Sequence, residues 1–191
     1  MNNFSTAPVS SVEIDAFAFQ IDQNSAKSVE YSDESNVKII HFQRHAEGHH
    51  NVAGEANYAD YELEAYEDAT LSDKGFQQCR EAASAYESLQ PQLCVVSMMR
   101  RCMETAKESF PHLVNKIKWL ANEDVREQTG SHPCDRRLNT SVYRQYYPHV
   151  NFEDIKPEHE EDPLYWKYGN EIREPKGECL KRAKIFINWP L

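Results

Sequence analysis

Between Arg44 and Asn51 the sequence reads Arg-His-Ala-Glu-Gly-His-His-Asn, placing a guanidinium, three imidazoles, a carboxylate and a carboxamide within eight residues. Two chemistries draw on such a set, and a solvated polar loop is the bland alternative. His41, His45 and His49 at four-residue spacing would share one face of a helix and offer metal ligands. That needs a continuous helix, which the apolar run ending at Phe42 argues against, and His132 with a diffuse acidic run offers little to complete a ligand set. The other chemistry is phosphate binding, since guanidinium forks and helix N-termini both suit a phosphate. Arg44-His45 falls where a strand should end, and Ser97-Met98-Met99-Arg100-Arg101 forms a second basic junction at a second strand end. In an open α/β sheet two such junctions can meet on one anion.

The elements that must position these residues follow from periodicity. Val37 to Phe42 reads as a short buried strand. Glu55 to Asp68 carries six acids and no base, which predicts a solvated loop or an irregular helix. Ser72 is the N-cap of a helix whose apolar stripe is Phe76, Cys79, Ala83 and Tyr86, with Leu71 stapling onto Phe76. Leu93 to Val96 is a second strand, followed by a helix from Arg100 to Phe110 that Pro111 stops. Ile117 to Leu120 is a third strand. Thr129 to Pro175 predicts loops with helical pieces, and Leu180, Ala183 and Ile187 mark a last helix, ended by Pro190. Strands alternating with helices predict an α/β fold with a largely parallel central sheet flanked by helices. Residues 1–34, rich in Ser and Asn, read as a polar mobile tail, and 35–191 as one domain.

Composition narrows the function further. The chain has 191 residues and a formal net charge of −10. No dominant basic face offsets phosphate repulsion, so a nucleic-acid partner is disfavoured, although a local basic pocket still suits a small anion. No basic residue precedes Lys27 and no apolar run is long enough for a secretory signal or a membrane span, so no membrane partner is expected. Five scattered cysteines without a CxxC pair fit reduced thiols and a cytoplasmic location.

The spacing of four blocks then resembles the histidine phosphatase superfamily, of the phosphoglycerate-mutase-like fold. The first is Arg44-His45-Ala46-Glu47 with Asn51. The second is Leu71-Ser72-x-x-Gly75-x-x-Gln78. The third is Ser97-x-Met99-x-Arg101-x-x-x-Thr105-Ala106, and the fourth is Val125-Arg126-Glu127. The later run Gly130 to Arg137 resembles the plant and fungal phosphoglycerate-mutase-like subgroup. The resemblance implies a phosphomonoester phosphatase that works through a phosphohistidine on His45. Arg44 and Arg101 would clamp the phosphoryl oxygens, Asn51 would add a hydrogen bond, and Glu127 would protonate the leaving alkoxide, with Glu123 its near rival. The substrate would be a small phosphorylated molecule, and no metal or organic cofactor is implied. Arg136 and Arg137 are open between reading a substrate anion and making structural salt bridges. His49 and His50 are expected at the rim, Arg100 at the surface, and Cys134 in packing.

The family's second histidine belongs to a Val-(Ser/Thr)-His block after the last helix, and the match stops at Pro190-Leu191. The expectation is therefore a domain truncated at its C-terminal strand region, with little or no turnover. The rival reading is a non-catalytic phosphate-binding or interaction protein.

Overall fold

The computed structural model of the chain describes residues 40–168 and 172–189. The boundary anticipated between residues 34 and 35 lies outside them, as do Val37 to Ile39. Ile40 to Phe42, read as the end of a strand, form none, and Ile40 and Phe42 are exposed. An apolar run becomes a strand only through ladder hydrogen bonds, and this one has no ladder partner among the described residues.

The sheet is a βαβ unit. Strand β1 (Leu93–Ser97) pairs in parallel with β2 (Lys118–Asn122), from Leu93 opposite Lys118 to Ser97 opposite Asn122. Helix α3 (Arg100–Ser109) makes the crossover, ending just before Pro111 as the sequence predicts. A one-residue bridge extends the sheet past β2. The Ala121 N–H donates to Asn151 O at 2.9 Å and the Asn151 N–H to Trp119 O at 2.8 Å. Val96, Met103, Trp119, Ala121, Tyr143 and Phe152 fill the core around this unit.

Helix α2 (Asp73–Tyr86) packs on α3 through the expected stripe. Ser72 caps it, its Oγ accepting from the Gly75 N–H at 3.0 Å. Helix α3 has no side-chain cap of its own. Asp68 supplies one from a distance, Oδ1 accepting from the Arg100 N–H at 2.9 Å and Oδ2 from the Tyr143 hydroxyl. Asp68 is thus fully buried rather than solvated with the rest of the acidic run. Burial pushes its carboxyl up to about 7. The remainder of that run is α1 (His49–Ala56) followed by two short 3₁₀ turns, Tyr58–Glu62 and Glu64–Tyr66.

The region from Thr129 to Pro175 holds a 3₁₀ turn at Pro133–Asp135, α4 (Thr140–Tyr146) and α5 (Pro163–Tyr168). Buried arginines, rather than apolar residues, organise it. Arg126 puts both terminal nitrogens on the Asp162 carboxylate at 2.8 Å each. Arg137 donates to Glu123 Oε1 at 2.7 Å and to the carbonyls of Leu138, His159, Glu160 and Glu161.

Helix α6 (Lys176–Ile187) falls where the sequence places a last helix, and it too is seated by a buried arginine. Leu180 and Ile187 are exposed, and the buried side chains are Arg182 and Phe186. Arg182 grips both oxygens of Glu174, at 2.8 and 2.6 Å, and donates to the carbonyls of Glu123, Asp124, Arg126 and Glu127. One side chain therefore fixes the backbone on which Glu127 rides.

Removing one partner of a buried ion pair leaves the other charge uncompensated. Arg182→Ala is expected to cost about 3–5 kcal/mol and to lower Tm by roughly 6–20 °C. Arg182→Lys should recover only part of this, because an ammonium cannot span the carboxylate and the carbonyls together. Thermal unfolding monitored by circular dichroism decides it. A loss under about 1 kcal/mol, the scale of an exposed pair, would contradict the role given to Arg182.

Candidate active site

His45 is held through the backbone of the residues that follow it. The Ala46 N–H donates to Thr105 Oγ1 at 3.0 Å, and that hydroxyl donates in turn to Arg101 O at 2.7 Å. The next residue, Glu47, is held more firmly still. Its N–H donates to Gln78 Oε1 at 2.9 Å, and its carboxylate accepts from Ser72 Oγ at 2.6 Å and Lys74 Nζ at 2.7 Å. Hydrogen bonds from Lys74 and then Ser72 hold that carboxyl below its ordinary value. A Cβ on Gly75 would lie 2.1 Å from Glu47 O, so only glycine lets α2 approach so closely. Leu71-Ser72-x-x-Gly75-x-x-Gln78 thus serves to position the Arg44–Glu47 segment.

Four of the five residues singled out from the sequence meet at one point. Glu127 Oε2 lies 3.2 Å from His45 Nε2 and 3.1 Å from Arg101 Nη2, and Glu127 Oε1 lies 3.9 Å from Arg44 Nε. Arg101 is buried and Arg44 is exposed, so the site is closed beneath and open above. Arg101 Nη1 donates to Cys134 O at 2.8 Å, and Asp135 Oδ1 stands 4.0 Å from Nη2. The buried Arg101 Nε has no partner among the described residues.

Asn51 takes a different position. Its side-chain oxygen accepts from the Gly48 N–H at 2.9 Å and closes the first turn of α1. The choice between Glu127 and Glu123 resolves geometrically, because both Glu123 oxygens are taken by Arg126 and Arg137. Arg137 is structural. Arg136 is likewise engaged, bound to Glu64 and Glu67. Cys134 is buried, and burial pushes its thiol up to about 12, which excludes a thiolate nucleophile.

The protons of His45 follow from its two neighbours. Nδ1 lies 2.6 Å from Ala46 O, and a carbonyl has only lone pairs to offer, so Nδ1 carries a hydrogen. Nε2 faces the Glu127 carboxylate, which also needs a hydrogen between the two atoms. A hydrogen therefore lies between His45 Nε2 and Glu127. Burial pushes the Glu127 carboxyl up, but the hydrogen bond to His45 and the Arg101 charge outweigh it. They hold the group well below the usual carboxylate range.

His50 is a correction to the sequence reading. It is buried rather than at the rim, its ring centroid 5.7 Å from that of His45. Burial, then the Arg101 and His45 charges, push it down to about 3, so it is neutral at physiological pH. A Cβ on Gly48 would lie 2.6 Å from the His50 ring, so the glycine before the helix makes room for it. Nothing in the local pattern marks this burial, because it depends on the His49 N–H pairing with Thr70 O across a non-local bridge.

The site thus sets a histidine and a carboxylate beside one buried and one exposed arginine. The chain belongs to the histidine phosphatase superfamily (branch 1), whose model matches residues 40–184. Within it, the sequence lies with plant and fungal phosphoglycerate-mutase-like proteins. It is 32% identical over 182 residues to the phosphoglycerate mutase-like protein of Arabidopsis thaliana, covering 80% of this chain and 65% of that one. It is 33% identical to phosphoglycerate mutase-like protein 1 of the same plant, covering 80% and 63%, and 30% identical to phosphomutase-like protein 3 of Candida albicans, covering 80% and 51%. The chain thus spans less than two thirds of the length of these relatives. A mycobacterial glucosyl-3-phosphoglycerate phosphatase superposes with a TM-score of 0.43 at 19% identity, covering 75% of this chain and 58% of that one. Among the described residues no three His, Cys, Asp or Glu side chains group as metal ligands, and no helix is long and apolar enough to cross a membrane.

Glu127 competes with any anion for Arg101 and Arg44. Glu127→Gln removes that competing charge, and a charge-assisted hydrogen bond is worth enough to raise sulfate affinity by roughly tenfold or more at pH 7.5. Sulfate keeps its charge across the working range, so titration calorimetry reads the protein alone. Equal or weaker binding by the variant would show that the carboxylate does not occupy the anion's place.

Proposed function

We propose that the protein is a phosphomonoester phosphatase acting through a phosphohistidine on His45. The observation that carries this reading is the Glu127 carboxylate oxygen set 3.2 Å from His45 Nε2 and 3.1 Å from the buried Arg101. An arriving phosphate ester displaces the Glu127 carboxylate from Arg101 and Arg44, and their charges pass to the phosphoryl oxygens. Glu127, losing its cationic partners and meeting a dianion, keeps the proton between the two, and His45 Nε2 is left with a free lone pair. That lone pair attacks phosphorus in line, the P–O bond to the leaving group breaks, and the departing alkoxide takes the proton from Glu127. Arg101 stabilises charge on the transferring group throughout, in a buried setting where a fixed donor acts strongly. Water then attacks the phosphohistidine with Glu127 as base, releasing phosphate and restoring the proton between His45 and Glu127. Asn51, tied to Gly48, keeps the turn after His45 closed, and its amide nitrogen remains for an oxygen of the substrate. The implied substrate is a small phosphorylated molecule.

A second reading has one observation in its favour. Glu127 already neutralises the cradle from within, and a protein that only binds phosphate would share this layout without turnover. The two readings differ in what His45 does. His45→Ala should abolish hydrolysis of 4-nitrophenyl phosphate and of 32P labelling of the protein, while its Tm stays within a few degrees of the parent. Glu127→Gln should reduce turnover of an alkyl phosphate about 10²–10⁴-fold, the usual contribution of a general acid. It should reduce turnover of 4-nitrophenyl phosphate much less, because that leaving group departs without a proton. Phosphate binding by the parent protein with neither turnover nor 32P labelling of His45 would favour the second reading.

A further inference from the structure

Beyond the anion cradle, one line of rings leads outward from His45. His50 is 5.7 Å from His45 between centroids, and Tyr61 is 6.3 Å from His50. Tyr61 then meets His132 at 5.4 Å and Tyr58 at 5.4 Å, and Tyr58 meets His132 edge-on at 6.0 Å. These separations lie in the range where aromatic rings attract one another. The outer end of the line is fixed from two sides. Tyr61 rests on the backbone of Gly54, where an added Cβ would come within 1.9 Å of the ring. His132 directly precedes the 3₁₀ turn at Pro133–Asp135, whose Cys134 carbonyl holds Arg101. The same turn therefore carries a ring of the cluster and a ligand of the buried arginine, so the two are set beside one another.

Packing alone does not account for the cluster. Tyr58 is 69% exposed, whereas an aromatic ring that served the core would be covered. The His45–Glu127 pair lies at one end of the line and an open aromatic surface at the other. We propose that Tyr58, Tyr61 and His132 form the leaving-group subsite, and that the substrates are phosphomonoesters of flat, uncharged aromatic alcohols. The inference rests on the phosphatase reading above. It also has an electrostatic side. Glu62 Oε1 lies 2.9 Å from His132 Nδ1, so a carboxylate borders the platform and disfavours a leaving group that is itself carboxylated. Because the rings are held before any ligand arrives, stacking on them costs little ordering.

Thermal-shift titrations with inorganic phosphate, benzylphosphonate, cyclohexylmethylphosphonate and phosphonoacetate test the inference without requiring turnover. The benzyl and cyclohexylmethyl compounds match in size and charge and differ in having a π face. The parent protein should bind benzylphosphonate about 3–10-fold more tightly than cyclohexylmethylphosphonate, the range of an aromatic pair. Phosphonoacetate should bind more weakly than either. Tyr61→Leu should abolish the benzyl preference and Tyr58→Leu should at least halve it, both keeping the phosphate shift. Tyr58 is exposed enough that its replacement leaves the fold intact, so that variant decides the matter if Tyr61→Leu misfolds. Equal affinity for the benzyl and cyclohexylmethyl compounds, or a preference unchanged in Tyr58→Leu, would overturn the subsite alone. Absence of any phosphate shift in the parent would overturn the anion-site reading, and the subsite with it.

Discussion

A buried guanidinium has to be answered by charge or by well-placed acceptors, and Arg101, 2% exposed, sets that requirement for the whole site. Its answer is the Glu127 carboxylate at 3.1 Å, the Cys134 carbonyl at 2.8 Å and the more distant Asp135. The acceptors come from two parts of the loop region after β2, Glu127 and the Pro133–Asp135 turn, so meeting the charge of Arg101 draws that region against the N-terminus of α3. Glu127 in turn reaches His45 Nε2, at 3.2 Å. Asp135 shows the cost of the arrangement: burial raises its carboxyl to about 6, with the Arg101 charge opposing. The same electrostatic need that orders the loops leaves a carboxylate facing His45, the place that the proposed function gives to a phosphoryl group.

The rest of the molecule is a set of supports for this contact. Thr105 and Gln78 hold the backbone on either side of the Ala46–Glu47 peptide, and Gly75 lets α2 approach near enough to do so. On the opposite side Arg182 fixes the carbonyls from Glu123 to Glu127, while Arg126 and Arg137 fold the segment from Pro133 to Asp162 around two carboxylates. Arginine suits these places because its planar fork satisfies a carboxylate and several carbonyls at once. The network also uses Glu123 completely, which leaves Glu127 as the carboxylate of that segment free to face His45.

Local pattern was a good guide wherever an element depends on its own residues. The β1–α3–β2 unit, the Ser72 cap and the stripe from Phe76 to Tyr86 follow from spacing and cap chemistry, and the structure has them at nearly the anticipated limits. The convergence of Arg44, His45, Arg101 and Glu127 was legible for a different reason: the resemblance to the histidine phosphatases named the residues, although it could not reveal how closely Glu127 approaches His45. What escaped the sequence depends on distant partners. Asp68 reads as one more acid in an acidic run until α3 and Tyr143 need it as an acceptor. Arg182 is buried on α6 while Leu180 and Ile187 are exposed, because its partners lie on segments far away in sequence. His50 is buried beside the Gly48–Leu71 bridge, where the His49 N–H meets Thr70 O, a pairing that no local window contains.

The central claim is that the Glu127 carboxylate holds the place of a phosphoryl group that belongs on His45. A crystal structure of the protein with orthovanadate tests it most directly, since vanadate adopts the geometry of the transferring group. The account predicts vanadium bonded to His45 Nε2, its oxygens on Arg101 and Arg44, and Glu127 moved off Arg101 Nη2 toward the leaving-group side. Saturating vanadate bound elsewhere, with Glu127 still bridging His45 and Arg101, would contradict it.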